Sequence, residues 1–214
     1  LDRTRVLKES LLAINRNFNK NLCSWFAGMF TTLNPSMEEQ LTLQPEMFAA
    51  LSSPHSRPIN IILGLLKNLC THPQFQTDDF LDRTAVLFAS DVKAIHQNTL
   101  GILSKLAKEK KEYHNAICCA AAQGLMSHDE STQNKIVKLI QAYGEAESTI
   151  LKGVLSTYAE TMLTSTKKEL KPYLEGNIPD TLFTDKASQT APGKQQDISS
   201  SDYEPIQPIL REDN

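Results

Sequence analysis

The feature that most constrains the fold is a short stretch that occurs twice, 37 residues apart. Residues 63–69 read LGLLKNL, and residues 100–106 read LGILSKL. A third stretch, residues 137–143, reads VKLIQAY and keeps an apolar residue at the first, third, fourth and seventh positions. Similarity at a fixed period predicts a repeated structural unit rather than one irregular core.

Apolar residues recur at helical spacing along the first four-fifths of the chain. Capping-box pairs predict where two helices start: Ser36 with Glu39, in a helix that extends to about Leu51, and Thr166 with Glu169. No longer stretch alternates apolar and polar residues as a half-buried strand does. The sequence therefore predicts an all-α fold.

Two helices fit into each period, and one helical hairpin alone leaves an apolar face uncovered. Stacking successive hairpins covers that face. A period near 40 residues with two helices per unit is similar to that of HEAT and armadillo repeats. We therefore expect an α-solenoid of about four HEAT-like two-helix repeats over residues 1–175, followed by an irregular acidic linker or tail over residues 176–214.

The charge of the chain is unevenly distributed along its length. The whole chain has a net charge of −3, whereas the segment from Glu175 to the end has eight acidic and three basic residues. The remainder is therefore close to neutral, at about +2. Nucleic acids and membrane surfaces attract basic patches, so this balance argues against both as partners.

The location of the protein is suggested by its apolar runs and its cysteines. The longest apolar run, IILGLL at residues 61–66, is too short to span a bilayer. The four cysteines fit no disulfide framework, and two of them are adjacent. Reduced thiols favour a cytoplasmic protein.

Two glycines and two aromatic residues receive structural interpretations from the repeat. Gly64 and Gly101 lie at equivalent points inside a helix, and we expect them to let a neighbouring helix approach closely. Trp25 and Phe26 align with core positions of the repeat, so a place in the core is favoured over a platform for stacking nucleic-acid bases.

The cysteines and histidines form no recognisable chemical site. His114 and Cys118 can share a helix face, but a structural metal needs about four ligands. Cys118 and Cys119 lie among small apolar residues, which favours packing over a reactive thiol. His96 aligns with Ile59 in the repeat, which indicates a partly buried structural histidine.

The sequence also lacks the motifs of common enzyme classes. It has no phosphate-binding glycine loop, dinucleotide fingerprint or nucleophile elbow. The acidic pairs at residues 78–79 and 129–130 stand at predicted helix starts, where the helix dipole favours them. The basic run at residues 105–114 is interrupted by Glu109 and Glu112. We predict no catalytic, cofactor-binding or metal-ligating residue.

The first 40 residues carry a further pattern, in which an arginine-bearing helix precedes a Trp-Phe helix and a Pro-Ser start. The residues are Leu1-Asp2-Arg3, Asn15-Arg16, Trp25-Phe26 and Pro35-Ser36. This order resembles the recurring block of a bacterial family of unknown function. The resemblance implies an α-solenoid within a larger bacterial protein and brings no catalytic residues with it.

The functional expectation is a non-enzymatic scaffold that binds a protein or peptide partner, without a cofactor. Solenoids offer extended surfaces for such partners. One alternative is a nucleic-acid-binding HEAT-like protein of the base-repair glycosylase type, which needs a basic concave face, a catalytic carboxylate and aromatic residues. A second alternative is a structural spacer between flanking domains. The sequence predicts no particular partner-binding residues.

Overall fold

The computed structural model describes residues 2–16 and 18–174, and this part of the chain is helical throughout, with no β-strand. The all-α prediction is confirmed. The helices are α1 (Arg3–Ile14), α2 (Lys20–Thr32), α3 (Met37–Thr42), α4 (Gln44–Ala50), α5 (Ser56–Leu69), α6 (Thr77–Leu81), α7 (Thr84–Phe88), α8 (Lys93–Glu109), α9 (His114–Ala122), α10 (Glu130–Tyr143), α11 (Thr149–Thr157), α12 (Thr164–Glu169) and α13 (Lys171–Leu174). Short 3-10 turns, Lys111–Tyr113 and Gln123–Met126, flank α9. The predicted tail, residues 176–214, lies outside the described residues.

Side-chain caps explain where several of the helices begin. A helix leaves its first backbone N–H groups without partners, and a short polar side chain just before it can accept from them. Ser36 and Glu39 form the predicted capping box at α3. Equivalent side-chain caps stand before α1, α2, α10 and α11, at Asp2, Asn19, Asp129 and Ser148.

Two of the predicted helices differ in the structure. The helix expected from Ser36 to about Leu51 divides at Leu43, because Pro45 lies in the first turn of α4 and has no N–H to continue the preceding helix. The cap expected at Thr166 is wrong. Helix α12 begins two residues earlier, and Thr166 is buried inside it.

Helices from successive units lie side by side in two rows. The first row consists of α1, α4, α6, α9 and α11, each in contact with the next. The second row consists of α2, α5, α8 and α10, again with each helix contacting the next. The rows pack against each other, for example where α1 meets α2 and where α9 meets both α8 and α10.

The second row buries the apolar positions that the repeat predicts. One stripe of side chains on each helix faces the first row and the neighbouring helices, and water is excluded from these side chains. Its members on α5, α8 and α10 are Leu63, Leu100, Val137, Leu66, Leu103 and Ile140. These six positions are buried as the 37-residue alignment predicts, whereas Leu65 and Tyr143, in the other two aligned series, are half-buried.

The first unit follows a spacing of 36 residues instead. Helix α2 buries Cys23, Ala27 and Phe30, which lie 36 positions before buried residues of α5. The predicted core position is therefore wrong for Trp25, whereas Phe26 packs against the core. Phe26 is half-buried, and Trp25 is 58% exposed. One residue of offset turns a helix by about 100°, which moves Trp25 from the core side to the surface.

Arg3 fastens the start of α1 to the turn between α2 and α3. Its Nε donates to Glu39 Oε1 at 2.7 Å, and its Nη2 donates to the carbonyl oxygen of Leu33 at 2.9 Å. Asn34, next in the chain, has a φ of 46°, which asparagine tolerates better than most residues. Two features of the N-terminal pattern, Arg3 and the start at Ser36, thus have a shared structural role.

Two buried glutamines hold the loops between units. Gln44 Nε2 donates to the carbonyl oxygen of Gln74 at 3.1 Å, and the N–H of Gln76 donates to Gln44 Oε1 at 2.9 Å. Gln133 is used in the same way, with the N–H of Leu163 donating to its Oε1 at 2.9 Å. Each side chain satisfies backbone groups that would otherwise be buried without partners.

Candidate partner-binding surface

The cysteines predicted to be structural have the surroundings of core residues. Cys118 is fully buried, and this burial raises the pKa of its thiol to about 12. Cys119 is half-buried, and burial raises the pKa of its thiol as well. A thiol attacks or ligates as the thiolate, so neither group has the character of a nucleophile near neutral pH.

The histidines also serve the packing. His96 is buried against the ring of Phe88, with ring centroids 5.6 Å apart, which confirms its predicted burial. His114 Nε2 lies 2.8 Å from the carbonyl oxygen of Ala107 and therefore binds backbone rather than Cys118. Within residues 2–16 and 18–174, no three His, Cys, Asp or Glu side chains group closely enough to hold a metal ion.

The acidic pairs stand at helix starts, as predicted. Asp78 and Asp79 occupy the first turn of α6. Asp129 caps α10, accepting from Lys93 Nζ at 2.6 Å and from the N–H of Thr132 at 2.8 Å. The bonds from Lys93 and Thr132 lower the pKa of Asp129 to about 2.

The glycines of the second row mark a surface rather than a helix contact. Gly64 is exposed, and a Cβ built on it would meet nothing within 4 Å. A Cβ on Gly101 would meet only the Lys67 side chain, at 3.4 Å, and Gly28 is open like Gly64. The prediction that a neighbouring helix approaches closely is therefore wrong for Gly64, whereas at Gly101 the Lys67 side chain of the neighbouring helix α5 occupies the space. The three glycines, spaced 36 and 37 residues apart, lie on one uncovered face of α2, α5 and α8.

A groove on this face, which we name the lysine groove, runs between α8 and α10. Its volume is about 430 Å³, and its edges carry Lys67, Lys108, Lys135 and Lys138. Its remaining lining is neutral: Gln97, Leu100, Gly101, Ser104, Leu139 and Tyr143. The lining therefore combines four positive charges with an apolar floor and contains no acidic side chain.

A second groove, which we name the tryptophan groove, lies between α2 and the start of α5. Its volume is about 650 Å³. Trp25, Met29 and Leu33 supply apolar surface, Gly28 lowers the floor, and Arg57 supplies one positive charge. An exposed tryptophan beside an open groove is the kind of residue that anchors partners.

Polar side chains connect the helices of the second row across this face. Asn98 Nδ2 donates to Asn60 Oδ1 at 2.8 Å, which links α8 to α5. Lys105 Nζ donates to the carbonyl oxygen of Lys67 at 2.8 Å, and Lys135 Nζ donates to Gln97 Oε1. The face therefore presents amides and ammonium groups in ordered positions.

The two rows differ sharply in charge. The helices of the second row carry eight basic and two acidic side chains, and the two acidic ones, Glu109 and Glu130, stand at helix ends. The helices of the first row carry four of each. The near-neutral net charge of the body hides this separation because it averages over both rows. Counting charges helix by helix within each repeat exposes it.

In the described part of the chain, none of the helices is both long and apolar enough to cross a membrane.

The first part of the chain is similar to a known protein family. A family model described as a domain of unknown function (DUF6493) matches residues 1–94. No curated protein and no solved structure matches the chain. The matched segment ends at the start of α8, so most of the lysine groove lies beyond it.

Proposed function

We propose that the protein is a non-enzymatic, protein-binding scaffold built on an α-solenoid of HEAT-like two-helix repeats. The observation that carries the proposal is the second row, whose helices present the same uncovered face at intervals of 36 and 37 residues. Two open grooves lie along that face. A row of equivalent faces makes a long surface that suits a polypeptide partner.

Bonds between equivalent places in successive units support the solenoid interpretation. In the second row, Asn98 binds Asn60 at a separation of 38 residues. In the part of the chain around the first row, the Tyr113 hydroxyl donates to Asp78 at a separation of 35 residues. Repeated bonds at about one period are what stacking of like units produces.

The lining of the two grooves supports the non-enzymatic part of the proposal. The lysine groove combines ammonium groups, amides and apolar surface, and the tryptophan groove adds one guanidinium. Neither lining contains a nucleophile hydrogen-bonded to a base, which acyl-transfer or hydrolytic chemistry would need.

Nucleic-acid binding is a second candidate, favoured by the exposed Trp25 and by the basic excess of the second row. A glycosylase-type activity would also need a carboxylate within the face. Glu109 and Glu130, the acidic residues of the second row, stand at the end of α8 and the start of α10 instead. A spacer that binds nothing is the third possibility.

Affinity capture separates these candidates. The full chain is immobilised and exposed to a lysate of the source organism, with and without nuclease, and bound proteins are identified by mass spectrometry. A matched pair of variants accompanies it: K108E/K138E in the lysine groove, and R83E/K111E outside it with the same change in charge.

We expect a discrete protein that survives nuclease and that both the wild type and R83E/K111E retain. Capture that disappears with nuclease would support the nucleic-acid candidate. A wild-type chain that retains nothing in either condition would support the spacer.

A further inference from the structure

We propose that the face of α5, α8 and α10 binds an extended, acidic peptide segment of a partner protein, with the lysine groove as the centre of the site. This inference deepens the proposed scaffold function and rests on it. It names the chemistry of the partner and the residues that recognise it.

The lysine groove concentrates positive charge that has no carboxylate partner within the described ranges. Lys108, Lys135 and Lys138 are exposed, and Lys67 lies half-buried beside them. In the part of the chain that the structure describes, none of the four forms an ion pair with a carboxylate. Like charges brought together repel one another, and an anionic ligand relieves that repulsion while gaining attraction to each.

The shape of the face suggests how such a ligand lies. Gly64 on α5 leaves backbone uncovered, and at Gly101 on α8 only the flexible side chain of Lys67 lies over the backbone, so a chain can cross both helices closely. Packed helices lie about 8–10 Å apart, and an extended peptide advances about 3.3 Å per residue. A segment that crosses the row therefore places about three residues over each helix. Acidic residues about three positions apart would meet successive lysines.

The polar groups favour a peptide over a nucleic acid. Asn98 Nδ2 donates to Asn60 Oδ1, and Asn60 Nδ2 donates to the carbonyl oxygen of Ser56. Each amide keeps a second N–H, and Asn98 Oδ1 can accept, so the pair can both donate to and accept from a peptide backbone, whereas phosphate oxygens only accept. The basic residues of the groove are all lysines, and the forked arginine side chain that binds phosphate in two places is absent from its lining. Leu100 and Leu139 provide apolar floor for intervening side chains.

The test is fluorescence anisotropy with the full chain and a labelled probe peptide of about twelve residues that repeats Asp-Leu-Ser. The three helices α5, α8 and α10 span about nine residues of extended chain, and twelve leave a margin at the ends. The comparison probes are a peptide that repeats Lys-Leu-Ser and a single-stranded DNA of matched charge. The variants are K108E/K138E and the control R83E/K111E. Circular dichroism and thermal melting verify that both variants fold as the wild type does.

We expect the acidic peptide to bind and the basic peptide not to bind. K108E/K138E should weaken acidic-peptide binding at least about tenfold, and R83E/K111E less than about twofold. Affinity should fall as salt is raised from about 50 to about 300 mM.

Three results would overturn the inference. In the first, the acidic peptide does not bind even at millimolar concentration. In the second, both pairs of substitutions weaken its binding equally. In the third, DNA binds more tightly than the acidic peptide, and K108E/K138E abolishes that DNA binding. The last result would assign the face to nucleic acid. Failure of the scaffold proposal can be told apart from failure of this inference, because the lysate experiment tests the scaffold proposal separately. A protein captured equally well by K108E/K138E would leave the scaffold standing and remove this site.

Discussion

The two rows of helices both bury an apolar stripe, but they place their charged side chains differently. In the part of the chain around the first row, charges pair between elements: Lys8 Nζ lies 2.9 Å from Glu46, and Arg3 Nε lies 2.7 Å from Glu39. In the second row Lys93 of α8 pairs with Asp129 at the start of α10, but the four lysines of the groove have no carboxylate partner among the described residues. Ion pairs between elements stabilise the fold, whereas lysines without a carboxylate partner are available to bind an anionic partner.

This difference separates stability from recognition within each helix of the second row. The buried side of α8 holds the units together, while its exposed side contributes little to folding. Substitutions on the two sides should therefore have very different effects on the free energy of unfolding.

Leu103→Ala, on the buried side of α8, should lower the free energy of unfolding by about 2–5 kcal/mol, because it removes a fully buried side chain and leaves a cavity. Leu103→Met, which nearly preserves volume, should cost less than about 1.5 kcal/mol. Urea denaturation followed by circular dichroism measures both. Equal losses of unfolding free energy for L103A and for the groove variant K108E/K138E would refute the proposed separation between a stabilising buried side and a binding exposed side.

Gly124→Ala, in the 3-10 turn after α9, should destabilise the protein by about 1–3 kcal/mol. A Cβ at Gly124 would lie 2.8 Å from Ile136 Cδ1 and 2.9 Å from Phe88 Cδ1, so these buried side chains would have to move. The same denaturation measurement applies. An unchanged midpoint would mean that the contact of this turn with α7 and α10 is looser than the structure has it.

Asp129→Asn should make stability less dependent on acid pH. Because folding lowers the pKa of Asp129 from 3.8 to about 2, its charged form contributes stability that is complete above about pH 5 and is lost progressively as the pH falls through about 2. Asparagine still caps α10, so the substitution isolates the charge. The wild type should have the higher urea midpoint at pH 5, and the difference should shrink between pH 4 and pH 2. Lys93→Met should remove much of the same difference, and a gap independent of pH would refute the assignment.

Gly64→Ala should raise the free energy of unfolding by about 0.5–1 kcal/mol, the smallest of these effects. The position is helical and open, so alanine gains helix propensity without a clash. Gly153→Ala in α11 is the matched control in the first row, because a Cβ there also meets nothing within 4 Å. Thermal melting compares the two. Destabilisation by G64A alone would indicate that Gly64 is covered by a contact that the structure does not contain.

The sequence predicted those features that depend on local pattern. The burial of Leu66, Leu103 and Ile140 follows from spacing, and the cap at Ser36 follows from residue types three positions apart. The exposure of Trp25 was not predictable from a 37-residue alignment, since the first unit is one residue shorter. The open surroundings of Gly64 depend on which side of a helix its neighbours cover, and no pattern within that helix records this.

The candidate site was missed for a different reason. Lys67, Lys108, Lys135 and Lys138 lie on three helices and do not repeat in register, so neither a motif nor the net charge reveals them. Their approach is a product of how α5, α8 and α10 stack. Only the assignment of each helix to a row separates these basic residues from the acidic ones of α4 and α6.

The bonds between units also bear on how the protein is made. In the described part of the chain, side-chain hydrogen bonds join residues at most 39 positions apart, as between Ser53 and Ile14 or between Thr84 and Gln123. A ribosome adds about 5–20 residues per second, so the partner of each bond emerges within about 2–8 s. Contacts this local also favour rapid folding. We expect each unit to dock on its predecessor during synthesis, so that an apolar face is exposed for seconds rather than until the chain is complete.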